Sequence, residues 1–304
     1  MRARISSLAV LLLTACIWGF AFVAQVQGMD HVQPFTLNGV RFGIGALSLI
    51  PVILIFERGK ATKDERKRTF RASLAAGIVL FCASSLQQFG IQITGSAGIA
   101  GFITGLYTVF IPIACYVFFK QKTGVNVVIG AVFALVGMFF LCYRVGEGLH
   151  FGLGELLILI GAMFWTAHVM IIDRMGKSIR SLHFSMGQFA VCSILGLAAM
   201  FIFEEPSVGA ILDAKWSILY CGVLSAGVAY TLQVVAQKKA EPTMAAIVLS
   251  TESMFSAIGG VMFGIDDLTV LGCIGCVLMF AGIVVSQISF KGNRADTADR
   301  EKIE

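Results

Sequence analysis

The sequence alternates between long apolar runs and short polar links. Ten of the runs approach or exceed the roughly 20 residues that a helix needs to cross the hydrocarbon core of a bilayer. They lie at 5–26, 33–56, 70–92, 96–119, 125–143, 153–173, 183–204, 216–237, 242–264 and 269–290. This pattern predicts an all-α membrane protein with ten transmembrane helices, followed by a disordered polar tail at 291–304.

The composition favours a lipid environment over a soluble fold. Only 13% of the 304 residues are charged and 57% are hydrophobic, whereas soluble proteins carry about 25% charged residues. The net charge of +5 could suggest a nucleic-acid partner, but the basic residues are confined to short loops. We therefore expect the lipid bilayer, and no nucleic acid, as a partner.

The basic residues also predict the orientation of the chain. If both termini are cytoplasmic, twenty of the 23 Lys and Arg residues fall on the cytoplasmic side. Only Arg144 and Lys215 fall outside, and Arg41 lies within a span. Cytoplasmic loops are enriched in Lys and Arg, so this distribution predicts a multi-pass protein with both termini in the cytoplasm.

The two halves of the sequence repeat each other. At an offset of 147 residues Trp18 matches Trp165 and Glu57 matches Glu204, and at an offset of 145 residues Gln88 matches Gln233. The same offset matches Gly130 with Gly275 and Gly137 with Gly282. We predict two five-helix repeats, 1–148 and 149–290. Because five is odd, the second repeat would be inverted, with a substrate site between the repeats near the bilayer midplane.

Several motifs resemble the EamA type of the drug/metabolite transporter superfamily. They are Trp18-Gly19-Phe20, Pro34 with Arg41-Phe42, the stretch Gly101–Tyr107, the pattern Gly154–Trp165 and Glu252–Phe255. The resemblance implies a ten-helix inverted-repeat carrier in the plasma (inner) membrane, exporting amino acids, metabolites or drugs, often against protons. Ser253 replaces the usual proline of the family pattern, which predicts a less kinked ninth helix. Gln121 and Asp266 replace the usual glutamate at the end of each repeat.

Glu252 is the first candidate for a functional side chain. It is the one carboxylate in the apolar run 245–265, where a charge costs roughly 2.5–3.5 kcal/mol at the bilayer centre. Burial favours the neutral form of a carboxylic acid, which brings proton exchange within reach near neutral pH. The alternatives are a static salt bridge and a hydrogen-bonded neutral acid.

Arg41 and Tyr107 are the next candidates. Arg41 could pair with Glu252, bind a substrate carboxylate in bidentate fashion, or extend outward as a structural anchor. Tyr107 is the repeat equivalent of Glu252, so pseudo-symmetry would place its hydroxyl in the same cavity. Core packing is the alternative for Tyr107.

Further polar and aromatic side chains at membrane depth could line a path. Polar residues there should face protein or a water-filled cavity. A lone buried histidine is commonly a hydrogen-bonded structural residue, and deep tryptophans also serve helix packing. The candidates of this kind are Gln88, Gln233, His168, Trp18, Trp165, Asn38 and Tyr230.

These residues lead to a functional hypothesis. The sequence carries no nucleotide-binding loop and no hydrolase or metalloprotease motif, so we expect neither an enzyme nor a bound cofactor or metal. We expect a secondary transporter that exports a small metabolite, amino acid or drug by alternating access, coupled to protons through Glu252. A gradient-independent uniporter or importer and a non-transporting membrane sensor are the alternatives. The substrate would be a zwitterion or an organic cation, and the protein a monomer or homodimer.

Overall fold

A computed structural model describes residues 2–59, 61–120, 124–144, 148–176, 179–237, 248–267 and 269–287. Within these ranges the fold is all-α apart from one two-residue antiparallel pair, β1 (Tyr143–Arg144) with β2 (Gly148–Leu149). The helices of the first half are α1 (Arg2–Gly28), α2 (Pro34–Phe56), α3 (Lys63–Thr94), α4 (Ala97–Gly105), α5 (Tyr107–Phe119) and α6 (Val125–Cys142). Those of the second half are α7 (Leu153–Gly176), α8 (Ser181–Phe203), α9 (Val208–Asp213), α10 (Lys215–Leu219), α11 (Tyr230–Gln237), α12 (Glu252–Met262) and α13 (Val270–Gln287).

Several helices have the length and composition of membrane spans. Among the described residues, six helical stretches are long and apolar enough to cross a bilayer, and two shorter apolar helices accompany them. Large apolar side chains cover their outer faces, for example Phe56 at 75% exposure and Phe203 at 72%. Such surfaces suit contact with lipid. The protein is therefore a multi-pass membrane protein.

Three of the predicted runs are not single uninterrupted α-helices. The run 96–119 divides into α4 and α5 at Leu106. The run 216–237 contains a π-helical segment, Tyr220–Ala229, between α10 and α11. π-helical turns inside helices are rare and are frequent at functional sites.

The ninth run breaks in its described part. Residues 242–247 lie outside the described residues, the chain turns at Ser250 and Thr251, and α12 begins at Glu252. The expectation of a less kinked ninth helix, based on Ser253 in place of proline, is therefore wrong. Glu252 occupies the first position of a helix rather than the middle of one.

Repeat-related glycines bring α6 and α13 into backbone contact. A Cβ added to Gly130 would lie 2.5 Å from the carbonyl oxygen of Gly282, and one added to Gly275 would lie 2.6 Å from that of Gly137. Any larger residue would push the helices apart, as in other close helix pairs in membranes. The start of α6 meets the end of α13, and the end of α6 meets the start of α13. The two helices are therefore antiparallel.

Helices α2 and α8 also run antiparallel, and each ends at a carboxylate that caps the other. Glu57 follows α2 and accepts hydrogen bonds from the backbone N–H groups of Leu182 and His183, at the start of α8. Glu204 follows α8 and accepts from Phe35 and Thr36, at the start of α2. The first N–H groups of a helix have no partner inside it and carry partial positive charge, so a carboxylate stabilises them.

The buried core lies on either side of the cavity described below. One cluster surrounds Phe102 and Ile103 of α4 with Ile158 of α7 and Met279 of α13. Another surrounds Phe189 of α8 with residues of α2 and α3. Both clusters hold the helices that carry the polar side chains of the site.

Candidate functional site

A cavity of about 150 Å³ lies where α1, α2, α7, α12 and the π-helical segment meet. It brings together eight of the ten side chains that the sequence singles out. Those eight are Trp18, Arg41, Tyr107, Trp165, His168, Tyr230, Gln233 and Glu252. The structure thus places them around one space, and the role of each stays a prediction.

Glu252 enters the cavity from the start of α12. The Thr251 hydroxyl donates to the Val248 carbonyl at 2.6 Å and holds the turn that precedes the helix. Gly19 of α1 packs against the first turn of α12, since a Cβ there would lie 2.7 Å from the Glu252 carbonyl oxygen. The partial positive charge of a helix N-terminus favours a carboxylate at this position. Within the described residues, the structure records no hydrogen bond or ion pair of the Glu252 carboxyl group.

Two tyrosines accompany Glu252. Tyr107 and Tyr230 line the same cavity as Glu252 and Arg41. The Tyr230 ring meets the Trp18 ring edge-on at 5.1 Å, and the Trp18 N–H donates to the Ser225 carbonyl at 3.1 Å. Trp18 is thereby fixed as an aromatic wall. Tyr230 is part of the same wall, because its ring also meets the Phe189 ring edge-on at 5.2 Å.

Arg41 supplies the positive charge of the cavity. It is 6% exposed, and its guanidinium lies 4.9 Å from the centre of the Phe42 ring. Gly222 of the π-helical segment packs against its backbone, since a Cβ there would lie 2.8 Å from the Arg41 carbonyl oxygen. The Nε atom has no hydrogen-bond partner in the described part of the chain. The guanidinium as a whole borders the cavity, where it can donate to an acceptor group on a ligand.

His168 lines the cavity and is also hydrogen-bonded to Gln188. Its Nε2 lies 2.8 Å from Gln188 Oε1, which can only accept, so the imidazole N–H donates. The Trp165 ring meets the imidazole edge-on at 5.6 Å. Gln188 stands 147 residues after Arg41, the repeat offset, so one half places a cation where the other half places an amide.

Two predicted site residues do not line the cavity. Asn38 is fully buried in α2, and neither polar atom of its amide has a partner among the described residues. Gln88 is fully buried in α3 and donates to the Gln25 carbonyl at 3.5 Å.

Four polar side chains of the lining were missed by the sequence reading. These are Gln25, Gln87, Thr104 and Ser225. Gln87 donates to the Thr104 hydroxyl at 2.8 Å, which ties α3 to α4 beside the cavity. The sequence match of Gln88 with Gln233 directs attention to the helix face of Gln88, and Gln87 lies about 100° away from it. To find the cavity faces, each helix would have had to be projected separately, α1 about Gln25 and α3 about Gln87.

The described residues contain no group of three His, Cys, Asp or Glu side chains placed to hold a metal ion. The lining of the cavity offers one carboxylate, one guanidinium, one imidazole, two phenols, several amides and an aromatic wall. Such a set can hold a small polar molecule and exchange protons with it.

Comparison with known proteins identifies the family of the chain. A family model described as the EamA-like transporter family matches residues 5–143 and, a second time, residues 152–287. The chain belongs to the EamA-like transporter family. The double match shows that both halves carry the EamA sequence pattern, and the protein is a membrane transporter.

Similar proteins cover nearly the whole EamA chain. An "uncharacterized transporter" of Archaeoglobus fulgidus is 28% identical over 280 residues, covering 90% of this chain and 83% of that protein. The "uncharacterized transporter YoaV" of Bacillus subtilis is 25% identical over 285 residues, covering 90% and 94%. A solved crystal structure aligns with a TM-score of 0.67 at 19% identity, over 98% of this chain and 99% of that one, which supports the fold.

Proposed function

We propose that this protein is a secondary transporter of the plasma membrane that moves a small zwitterionic or cationic solute by alternating access. Ten spans would form two inverted five-helix repeats, with both termini in the cytoplasm. The observation that supports this proposal is the cavity that Glu252, Arg41 and Tyr230 share. A charged pair in such a cavity suits a solute with both an ammonium and a carboxylate group.

The inverted arrangement is supported by the way related helices pack. Helices α2 and α8 correspond in the repeat, and each begins at the carboxylate that ends the other. Helices α6 and α13 also correspond, and Gly130 contacts Gly282 while Gly137 contacts Gly275. Both pairs are antiparallel and reciprocal, as a two-fold axis in the membrane plane requires.

The substrate class follows from the two charges. The Arg41 guanidinium would donate hydrogen bonds to the carboxylate of the solute. The Glu252 carboxylate would accept hydrogen bonds from its ammonium group, and the Tyr107 and Tyr230 hydroxyls would donate to the solute. The cavity holds about 150 Å³, the space of about five liquid water molecules. This favours a compact solute such as a single amino acid over a large drug.

Proton coupling would use the same carboxylate. Glu252 can hold either a proton or an ammonium group, so the two would compete for one site. Protonation from the outside would release the solute outward, and deprotonation toward the cytoplasm would restore the site. The driving force is then the proton gradient, and the direction of transport is export.

A flux measurement on purified protein in liposomes tests this proposal. Liposomes are loaded with a radiolabelled neutral amino acid, a radiolabelled cationic dye or a radiolabelled sugar, and efflux is followed with and without external acidification. We expect efflux of the amino acid that accelerates when the outside is more acidic. Equal flux in both directions without a response to acid would support a uniporter or importer instead. No flux above protein-free liposomes for any probe would support a non-transporting sensor.

A further inference from the structure

A second groove lies outside the cavity, between the first turns of α3 and of α8. It has a volume of about 550 Å³. One end carries the guanidinium groups of Arg66 and Arg180 beside the His183 ring, and the other end is apolar, with Val191 and Ile194. The sequence predicts that this end of the molecule faces the cytoplasm.

The cationic end is not neutralised by its acidic neighbour. Arg180 makes a salt bridge to Glu57 at 3.7 Å, and the His183 Nδ1 lies 2.6 Å from the same carboxylate. Arg66 is exposed at the mouth of the groove and adds a second guanidinium. With one carboxylate against two guanidinium groups, the mouth carries net positive charge.

Thr69 lines this groove, and its side-chain hydroxyl is buried. Thr69 is 8% exposed, and its hydroxyl oxygen has no hydrogen-bond partner in the described ranges. A threonine in a helix commonly donates to the carbonyl one turn back, and the neighbouring Ser73 does find a partner in the Phe184 carbonyl at 3.2 Å. With its side chain turned toward the groove, the Thr69 hydroxyl would donate to an oxygen of a bound ligand.

The apolar end opens toward the lipid-facing surface. Ile194 is 66% exposed and Phe70 is 67% exposed, and both line the groove. The small residues Gly187 and Ala190 line the groove between its two ends. An acyl chain would cover this surface, whereas a free anion in water would leave it bare.

We propose that this groove binds one anionic phospholipid of the cytoplasmic leaflet. Its phosphate would lie between Arg66, Arg180 and the Thr69 hydroxyl, and one acyl chain would lie along Val191 and Ile194. Basic pockets between helices on the cytoplasmic side recognise anionic head groups in this way. The proposal depends neither on the transported solute nor on proton coupling.

Native mass spectrometry of the full-length protein in detergent tests the site. The protein is titrated with dioleoyl phosphatidylglycerol or with dioleoyl phosphatidylcholine, which share acyl chains and differ in head-group charge. The variants are Arg66→Gln, Thr69→Val and Ala190→Phe, the last of which fills part of the groove without changing charge. Arg68→Gln is the matched control, because Arg68 is an exposed cation two residues from Arg66 and does not line the groove.

We expect the wild type and Arg68→Gln to retain phosphatidylglycerol in preference to phosphatidylcholine. Arg66→Gln should lower that preference about fivefold, the contribution of one basic residue near an anionic surface. Thr69→Val and Ala190→Phe should each lower the retention of phosphatidylglycerol. Equal retention of the two lipids by the wild type would overturn the proposal. So would equal losses in Arg66→Gln and Arg68→Gln, or complete displacement of the lipid by inorganic phosphate. Each variant is used only if it elutes as a monodisperse species.

Discussion

Glu57 and Glu204 stand 147 residues apart, and each one caps the helix that the other one ends. The Leu182 N–H donates to Glu57 at 3.0 Å, and the Phe35 N–H donates to Glu204 at 2.7 Å. The Thr36 hydroxyl also donates to Glu204 at 2.7 Å. The two carboxylates therefore join the two halves of the chain at opposite ends of the α2–α8 pair.

Loss of the Glu204 cap should destabilise the protein. Glu204 is 9% exposed and accepts three hydrogen bonds. Glu204→Ala leaves three donors without their acceptor, which costs about 1–3 kcal/mol for a buried group. We expect a clear fall in the melting temperature measured in detergent. Glu205→Ala is the control, because Glu205 is the exposed neighbour; equal falls in the two variants would contradict the cap.

The Glu57 cap should weaken in acid. Burial raises the pKa of Glu57, but the hydrogen bonds from the His183 side chain and from the backbone N–H groups of Leu182 and His183 outweigh it, so the pKa lies below its usual value. A lowered pKa means that the stabilisation is complete above the carboxyl pKa of the unfolded chain, about 4.3, and is lost as the pH falls through the lower folded value.

This pH dependence can be measured with Glu57→Gln. Melting temperatures of wild type and variant are compared from pH 7 down to the lowest pH that the sample tolerates. The wild type should be the more stable at neutral pH, and the difference should shrink in acid. A difference that stays constant over this range would mean that the Glu57 charge does not support the cap.

The contact between α6 and α13 should not tolerate a larger side chain. Gly137→Val would place its Cβ 2.7 Å from the Gly275 carbonyl oxygen. Overpacking of this kind costs about 1–3 kcal/mol, so the melting temperature should fall. Gly59→Ala is the control, since nothing lies within 4 Å of the added Cβ, and a similar fall there would argue against the contact.

Solute binding in the cavity should change tryptophan fluorescence. Trp18 and Trp165 line the cavity, whereas Trp216 is 74% exposed. In a Trp216→Phe background, an amino acid that binds should shift the emission. If the guanidinium holds the carboxylate, Arg41→Gln should weaken the affinity read from that shift about tenfold or more. A shift that is identical in the Arg41→Gln protein would remove Arg41 from the site.

Helix positions were readable from the sequence because apolar runs in a membrane protein have few alternatives to helices. The predicted run 33–56, for example, is helix α2 from Pro34 to Phe56, with Gln33 as its N-cap. The break at Leu106, the π-helical segment and the turn before Glu252 were not readable, because packing against other helices decides them. Gly19 and Gly222, which admit these backbones, look like ordinary small residues in one sequence.

The sequence predicted the charged residues of the site better than its amide side chains. Glu252 and Arg41 stand out because charges are rare at membrane depth, and both line the cavity. Asn38 and Gln88 are as polar as Gln25 and Gln87, yet they face the interior of helix pairs. Which face of a helix meets the cavity depends on the rotation of the helix in the bundle, and the sequence alone does not fix that rotation.

The role of Glu252 in proton coupling is tested most directly by one flux measurement. Liposomes that contain the protein are loaded with a radiolabelled amino acid that the wild type exports, and the outside is acidified while efflux and lumenal pH are recorded together. Glu252→Gln is compared with Glu205→Gln, the same substitution at an exposed carboxylate. We predict that acid-driven efflux and lumenal acidification persist in Glu205→Gln and are lost in Glu252→Gln. Acid-driven efflux of equal rate in both variants would contradict the coupling role of Glu252.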